Sequence, residues 1–210
     1  MFRRGGRRPG AGRKPRGARA LVSHAARPRL TRHDPVLVTT RLVAGCPNLR
    51  NERNVAVVRG ALESGCDRFG FRLVEYSVQT NHLHLVAEAE SARALARGLQ
   101  GLLVRIAKRL NRAWTRRGGV FADRYHARVL RTPRAVRNAL VYVLQNARKH
   151  GARFAGIDRC SSGPWFTGWL NRVARAGSAL PRASSWLLRA GWRRAGLVAT
   201  NEVPARAPPP

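Results

Sequence analysis

From about residue 35 onward, short β-branched runs alternate with longer stretches whose apolar residues recur at helical intervals. The run "PVLVTTRLV" (35–43) predicts a strand. In "NERNVAVVRGALES" (51–64), Val55, Val58 and Leu62 follow helical spacing behind Asn51, a suitable N-cap. "FGFRLVEYSV" (69–78) predicts a second strand, Gln79-Thr80-Asn81 a turn, and "HLHLVAE" (82–88) the returning strand, so 69–88 reads as a hairpin. Ser91 opens the strongest helix, whose stripe of Leu95, Leu99, Leu102, Leu103, Ile106, Leu110 and Trp114 is ended by Gly118-Gly119. "VFADRYHARVL" (120–130) predicts a fourth strand. Thr132-Pro133 starts a further helix, with Thr as N-cap and Pro in the first turn, which runs to about His150 before Gly151 stops it. The order β-α-β-β-α-β-α predicts an α+β fold, an antiparallel sheet with packed helices of ferredoxin-like type.

The flanks differ from this middle. Residues 1–33 hold 11 Arg or Lys and no acid, and their glycines and prolines oppose regular structure, so a disordered basic arm is expected. Within it "GRKPRG" has the composition of a minor-groove hook, but a tail that binds phosphate without regard to sequence is the simpler reading. Residues 34–151 form the predicted domain. Residues 152–210 form an extension rich in Trp and Arg with a disordered, proline-rich end.

Charge narrows the function. The chain of 210 residues carries 41 Lys+Arg against 10 Asp+Glu, a net +31. A compact enzyme for small neutral substrates gains nothing from such self-repulsion, whereas a polyanion partner, nucleic acid above all, explains it. Only Lys14, Lys108 and Lys149 are lysines, and arginine forks suit phosphates and stack on bases. The isolated Cys46, Cys66 and Cys160 fit neither a disulfide framework nor a Cys-rich zinc site. They suit a reducing, cytoplasmic setting. No apolar run reaches the roughly 18 residues that span a membrane, and the N-terminus has no apolar signal core.

Two groups of residues could carry chemistry. On a strand, His82 and His84 point to one face, with Cα atoms roughly 6.6 Å apart, while Leu83 and Leu85 face the core. They are either half of a metal site or two solvated histidines. In "ALVYVLQNARKHG" (139–151), Tyr142 and Asn146 lie four apart at the edge of the apolar stripe of Val136, Leu140, Val143, Leu144 and Ala147, with Lys149 on the same side. They present either a hydroxyl and an amide together or an amphipathic Tyr at a core boundary. The other tyrosines, Tyr76 and Tyr125, lie on predicted strands. Arg124 and Arg128 share a strand face with His126, where they contact DNA phosphate or simply line a solvated edge. Arg105, Lys108 and Arg109 on the long helix and Lys149 are further candidate DNA contacts. Trp165, Trp169, Trp186 and Trp192 either stack unpaired bases or form a small satellite core, the latter being expected for Trp165 and Trp186.

Asn81-His82-Leu83-His84, the long helix, the "GGVFADRYHARV" stretch and Tyr142-x-x-x-Asn146 occur in an order and spacing that resemble the single-tyrosine HUH transposases. The similarity is strongest to the REP-associated tyrosine transposases, relatives of the smallest insertion-sequence transposases, and covers residues 35–150. Gln79-Thr80 stands where many relatives carry Met-Pro, and Ala147 where many carry Pro, which leaves the catalytic groups intact. The resemblance implies that His82, His84 and Asn146 hold Mg²⁺ or Mn²⁺, that Tyr142 is the nucleophile, and that the substrate is single-stranded DNA, often folded as a hairpin. It leaves open whether the site forms within one chain or across a homodimer.

Such residues suit strand transfer. A divalent ion offsets charge on a phosphate under attack, and two imidazoles with an amide are too few firm ligands, without thiolate, for a closed structural zinc site. Attack by tyrosine leaves a 5′-phosphotyrosine and a 3′-OH, so the ester stays reactive for rejoining. Gln145 competes with Asn146 as a ligand but lies about 100° around the helix. The alternatives are a domesticated, catalytically idle nucleic-acid binder of the same fold and a metal-dependent phosphodiesterase that needs no tyrosine.

Overall fold

β1 (Val36–Arg41) turns Val36 and Val38, both fully buried, to one side and Leu37 and Thr39 to the other, and this alternation divides the molecule into layers. Then follow α1 (Glu52–Glu63), β2 (Asp67–Arg68), β3 (Phe71–Val78) and β4 (His82–Ala89). After these come α2 (Ala92–Ala113), β5 (His126–Val129), α3 (Pro133–Leu144), α4 (Asn146–Lys149) and α5 (Trp186–Arg189). This computed structural model describes residues 29–149, 151, 154, 156–171 and 177–205. The arm expected over 1–33 lies outside the described residues as far as residue 28, as do His150 and the proline-rich end at 206–210.

The five strands form an antiparallel sheet in the order β2-β3-β4-β1-β5. α1 and α2 cover one face, where Leu62, Leu73, Leu83, Leu85, Leu99 and Ile106 share a core. α3 covers the other, where Val74 and Val86 meet Val136, Leu140 and Val143. Burial of these apolar faces drives the layering. Gly98 lets α2 approach the sheet, because a Cβ there would overlap the Phe71 ring. The three predicted caps are all made: Asn51 Oδ1 accepts from Asn54 N–H at 2.8 Å, Ser91 Oγ from Ala94 N–H at 3.1 Å, and Thr132 Oγ1 from Ala135 N–H at 3.1 Å.

Four expectations need correction. Residues 69–70 are not strand: Phe69 (φ 55°) and Gly70 (φ 73°) make a tight turn between the short β2 and β3. α2 stops at Ala113 rather than near Gly118, because Thr115 is left-handed at φ 52°. The strand expected over 120–130 shrinks to β5. Before it, Asp123 Oδ1 accepts from Arg124 N–H at 2.7 Å, a local bond that competes with ladder pairing. The helix expected to run from Pro133 to about His150 breaks at Gln145 (φ −116°, ψ 13°). Gln145 is fully buried there, and its Nε2 donates to the carbonyls of Ala199 and Thr200 at 3.1 and 2.8 Å.

The C-terminal segment packs on the domain. Cys160 and Ser162 pair with the edge of β3, through Val78 N–H to Cys160 O at 2.8 Å and Ser162 N–H to Tyr76 O at 2.9 Å. Arg50 holds Asp158 in a two-pronged ion pair at 2.9 and 3.0 Å. Phe166, Trp169, Leu188 and Trp192 then join the α3 core, so the tryptophans form no satellite core of their own. Trp165, expected in that satellite core, packs instead against the α1/α2 core of the domain. Trp186 does not: it is 46% exposed, with the Arg194 guanidinium 5.0 Å above its ring. No helix among the described residues is long and apolar enough to cross a membrane.

Candidate active site

β4 begins directly after the turn at Asn81, so His82 and His84 emerge on the α3 face while Leu83 and Leu85 enter the opposite core. Asn81 Oδ1 accepts from His82 Nδ1–H at 2.9 Å. That bond leaves the acceptor lone pair of the neutral ring on Nε2. His84, 2% exposed, has its Nδ1 2.9 Å from Thr39 Oγ1 on the neighbouring β1, in direct cross-strand register. With Nδ1 so engaged on each ring, the Nε2 atoms are the ones suited to ligation. The two imidazoles lie edge to face, their centroids 4.6 Å apart.

α3 brings Tyr142 to the same face. Its ring centroid is 4.8 Å from that of His84, at 70°. Lys149 Nζ lies 5.2 Å over the Tyr142 ring. His84 and Tyr142 of this chain thus lie side by side. Asn146 follows the Gln145 break rather than continuing the α3 turn, so the predicted four-residue stacking on one unbroken helix is replaced by two short helices. Asn146 is fully buried, and neither its Oδ1 nor its Nδ2 has a hydrogen-bond partner among the described residues. An enclosed amide in that state costs about 1–3 kcal/mol, which calls for a functional reason. Among the described residues no three His, Cys, Asp or Glu side chains cluster.

The other tyrosines are on the wrong side of the sheet. Tyr76 and Tyr125 both belong to the α1/α2 core. Burial pushes the Tyr76 hydroxyl up to about 12, against a bond it accepts from Arg59 Nε at 3.3 Å. Of the three tyrosines in the chain, Tyr142 alone shares a face with the histidines.

The candidate DNA contacts divide likewise. Arg128 and His126 are exposed on β5 and face the α3 side, His126 lying opposite Thr39 in the ladder. Arg124 is exposed just before them, and Lys149 touches Tyr142. Arg105 and Arg109 lie against Gly65 and Gly60 at α1, and Lys108 is exposed on the same helix. These three sit across the sheet from Tyr142, and the structure does not bring them to the site. Thr39 is the site residue that sequence reasoning missed, because only the β1–β4 register places it beside His84.

No family model and no curated protein matches the sequence. The structure of a REP-associated tyrosine transposase bound to a REP hairpin superposes with a TM-score of 0.54 at 17% identity, covering 78% of this chain and 99% of that one. A crystal structure from Deinococcus radiodurans R1, provisionally named a transposase, reaches only 0.39 at 14% identity over 50% of this chain and 82% of its own, too little to carry weight. The chain thus has the fold of a REP-associated tyrosine transposase.

Proposed function

We propose that this protein is a transposase-type DNA nickase and strand transferase. The observation that carries the reading is the meeting of His84 and Tyr142, ring centroids 4.8 Å apart, from strand and helix 58 residues apart in sequence. The residues present fit a divalent cation, Mg²⁺ or Mn²⁺. His82 and His84 would hold it through Nε2 and Asn146 through its amide oxygen, which would satisfy the one buried amide of the site that lacks a hydrogen bond. When bound, such an ion supplies positive charge to phosphate oxygens as negative charge grows on them.

The chain's own groups supply the rest. Tyr142 Oη attacks the phosphorus of a phosphodiester and gives its proton to water. The bond from phosphorus to the 3′ oxygen breaks, and that oxygen takes a proton from water and leaves as a 3′-OH. The 5′ side remains esterified to Tyr142, and another 3′-OH can reverse the step and join the strands. Lys149, over the tyrosine ring, and Arg124 and Arg128, beside β5, are placed to meet the phosphate backbone. The substrate would be single-stranded DNA with a hairpin; the superposed REP-associated tyrosine transposase is bound to a REP hairpin. A +31 chain suits this partner and a place at the nucleoid.

The test is incubation with Mg²⁺ or Mn²⁺ and hairpin oligonucleotides, followed by a denaturing gel. A covalent protein–DNA adduct that vanishes in Tyr142→Phe supports strand transfer. Cleavage without adduct would instead mean a hydrolase, and binding without cleavage an idle binder. An adduct that survives Tyr142→Phe and is lost in Tyr125→Phe would overturn the nucleophile assignment.

A further inference from the structure

We propose that the cavity beneath the C-terminal segment is a pocket for one unpaired nucleobase of single-stranded DNA, next to the tyrosine site. The proposal rests on the strand-transfer reading of that neighbouring site. The cavity encloses about 670 Å³, within the usual range for a small-ligand site. Its lining includes the half-buried Trp165, an aromatic of the kind on which any base stacks, beside the buried Phe166 and Trp192. Its rim carries Arg182, Arg189 and Arg193, all exposed, and no acid is exposed among its lining residues. Arg193 is drawn over the Trp192 ring at 4.9 Å. Aromatic walls under an arginine rim match a base inside and its phosphate outside.

One polar group lies at the bottom. Glu75 is 9% exposed and lines the cavity, and its only hydrogen bond among the described residues comes from Ser162 Oγ–H to Oε2 at 2.5 Å. Oε1 is left for an occupant. Burial pushes the Glu75 carboxyl up to about 8, against the Ser162 bond. It therefore holds its proton near neutrality and offers a donor beside an acceptor, the complement of the donor–acceptor edge that each base presents. Position is equally telling. Glu75 pairs with Val86 and Ser77 with His84, so Glu75 lies one strand across and two residues along from His84. Val74 and Val86 belong to the α3-side core, the side on which Tyr142 lies. A base flanking the scissile phosphate would have this pocket within reach.

The experiment uses the full chain carrying Tyr142→Phe, so that no adduct forms, and a fluorescent hairpin oligonucleotide with single-stranded flanks. One abasic site is walked through the flanks, and affinity is read by anisotropy at fixed salt. One flank position is expected to lose about tenfold on removal of its base. That loss should fall below twofold in Glu75→Gln and in Arg189→Ala, the second being an exposed change that leaves packing intact. Purine and pyrimidine substitutions at that position then define which base the pocket takes. A flat abasic profile, or the same loss in the parent and both variants, overturns the pocket and leaves the adduct assay to judge strand transfer. Failure to bind any of the oligonucleotides sinks both readings together.

Discussion

Thr39 and His84 face each other across the β1–β4 ladder, with Oγ1 and Nδ1 2.9 Å apart. The hydroxyl fixes the ring that Tyr142 touches, so Thr39→Val should leave the fold intact and lower metal-dependent adduct formation about 10- to 100-fold, as loss of an outer partner of a metal ligand does. Titration with Mn²⁺ checks the cause. Partial rescue at high Mn²⁺, and full rescue by Thr39→Ser, are expected. A wild-type metal dependence in Thr39→Val would remove Thr39 from the site.

Asn146 offers the opposite trade. Its buried amide lacks hydrogen bonds, so Asn146→Leu should raise metal-free stability by about 1 kcal/mol while abolishing the adduct. Mn²⁺ should raise the Tm of the parent and leave that of Asn146→Leu unchanged, because only a site that binds the folded state stabilises it. Thermal melts with and without the ion decide the matter.

Glu75 predicts a pH dependence. Its folded pKa lies near 8, above the ordinary 4.5, so the folded chain binds the extra proton. Stability from this group is complete below about pH 4.5 and is lost as pH rises toward and through about 8. Between pH 5 and 8.5 the parent Tm should fall relative to Glu75→Gln by several degrees, since about 1 kcal/mol moves a chain of this size by roughly 2–4 °C. Parallel curves for the two proteins would mean that Glu75 is ionised in the fold.

Arg50 and Asp158 anchor the C-terminal segment, and the Asp158 side chain is only 2% exposed. Arg50→Ala should therefore cost about 3 kcal/mol, most of it from stranding a buried carboxylate. Arg50→Ala with Asp158→Ala should recover a good part of the loss in urea melts. Additive losses would show that the pair acts as two independent contacts.

These relationships were legible in the sequence to different degrees. The facing of His82 and His84 away from Leu83 and Leu85 follows from the two-residue period of a strand, and Asn51, Ser91 and Thr132 declare their helices by local capping chemistry. What escaped depends on partners far along the chain. The break at Gln145 is set by carbonyls at residues 199 and 200. Glu75 comes to lie under Ser162 because a bulge between Leu73 and Glu75 resets the alternation of β3, which no count of apolar positions registers. Trp186 was misplaced because bulk and hydrophobicity alone do not say which aromatic of a cluster closes the core and which is left outside.

The clamp on Gln145 also bears on how such a chain can evolve. Its two acceptors, at Ala199 and Thr200, are main-chain carbonyls, which every residue type supplies. Selection can therefore act on the route of that segment while remaining almost blind to the letters that spell it. Chains that share this fold should keep a glutamine, or another amide of similar reach, at the position of Gln145, and keep the distance to the returning segment, while the segment's own residues drift freely. A shared fold at 17% identity is compatible with constraint on the path rather than on the spelling.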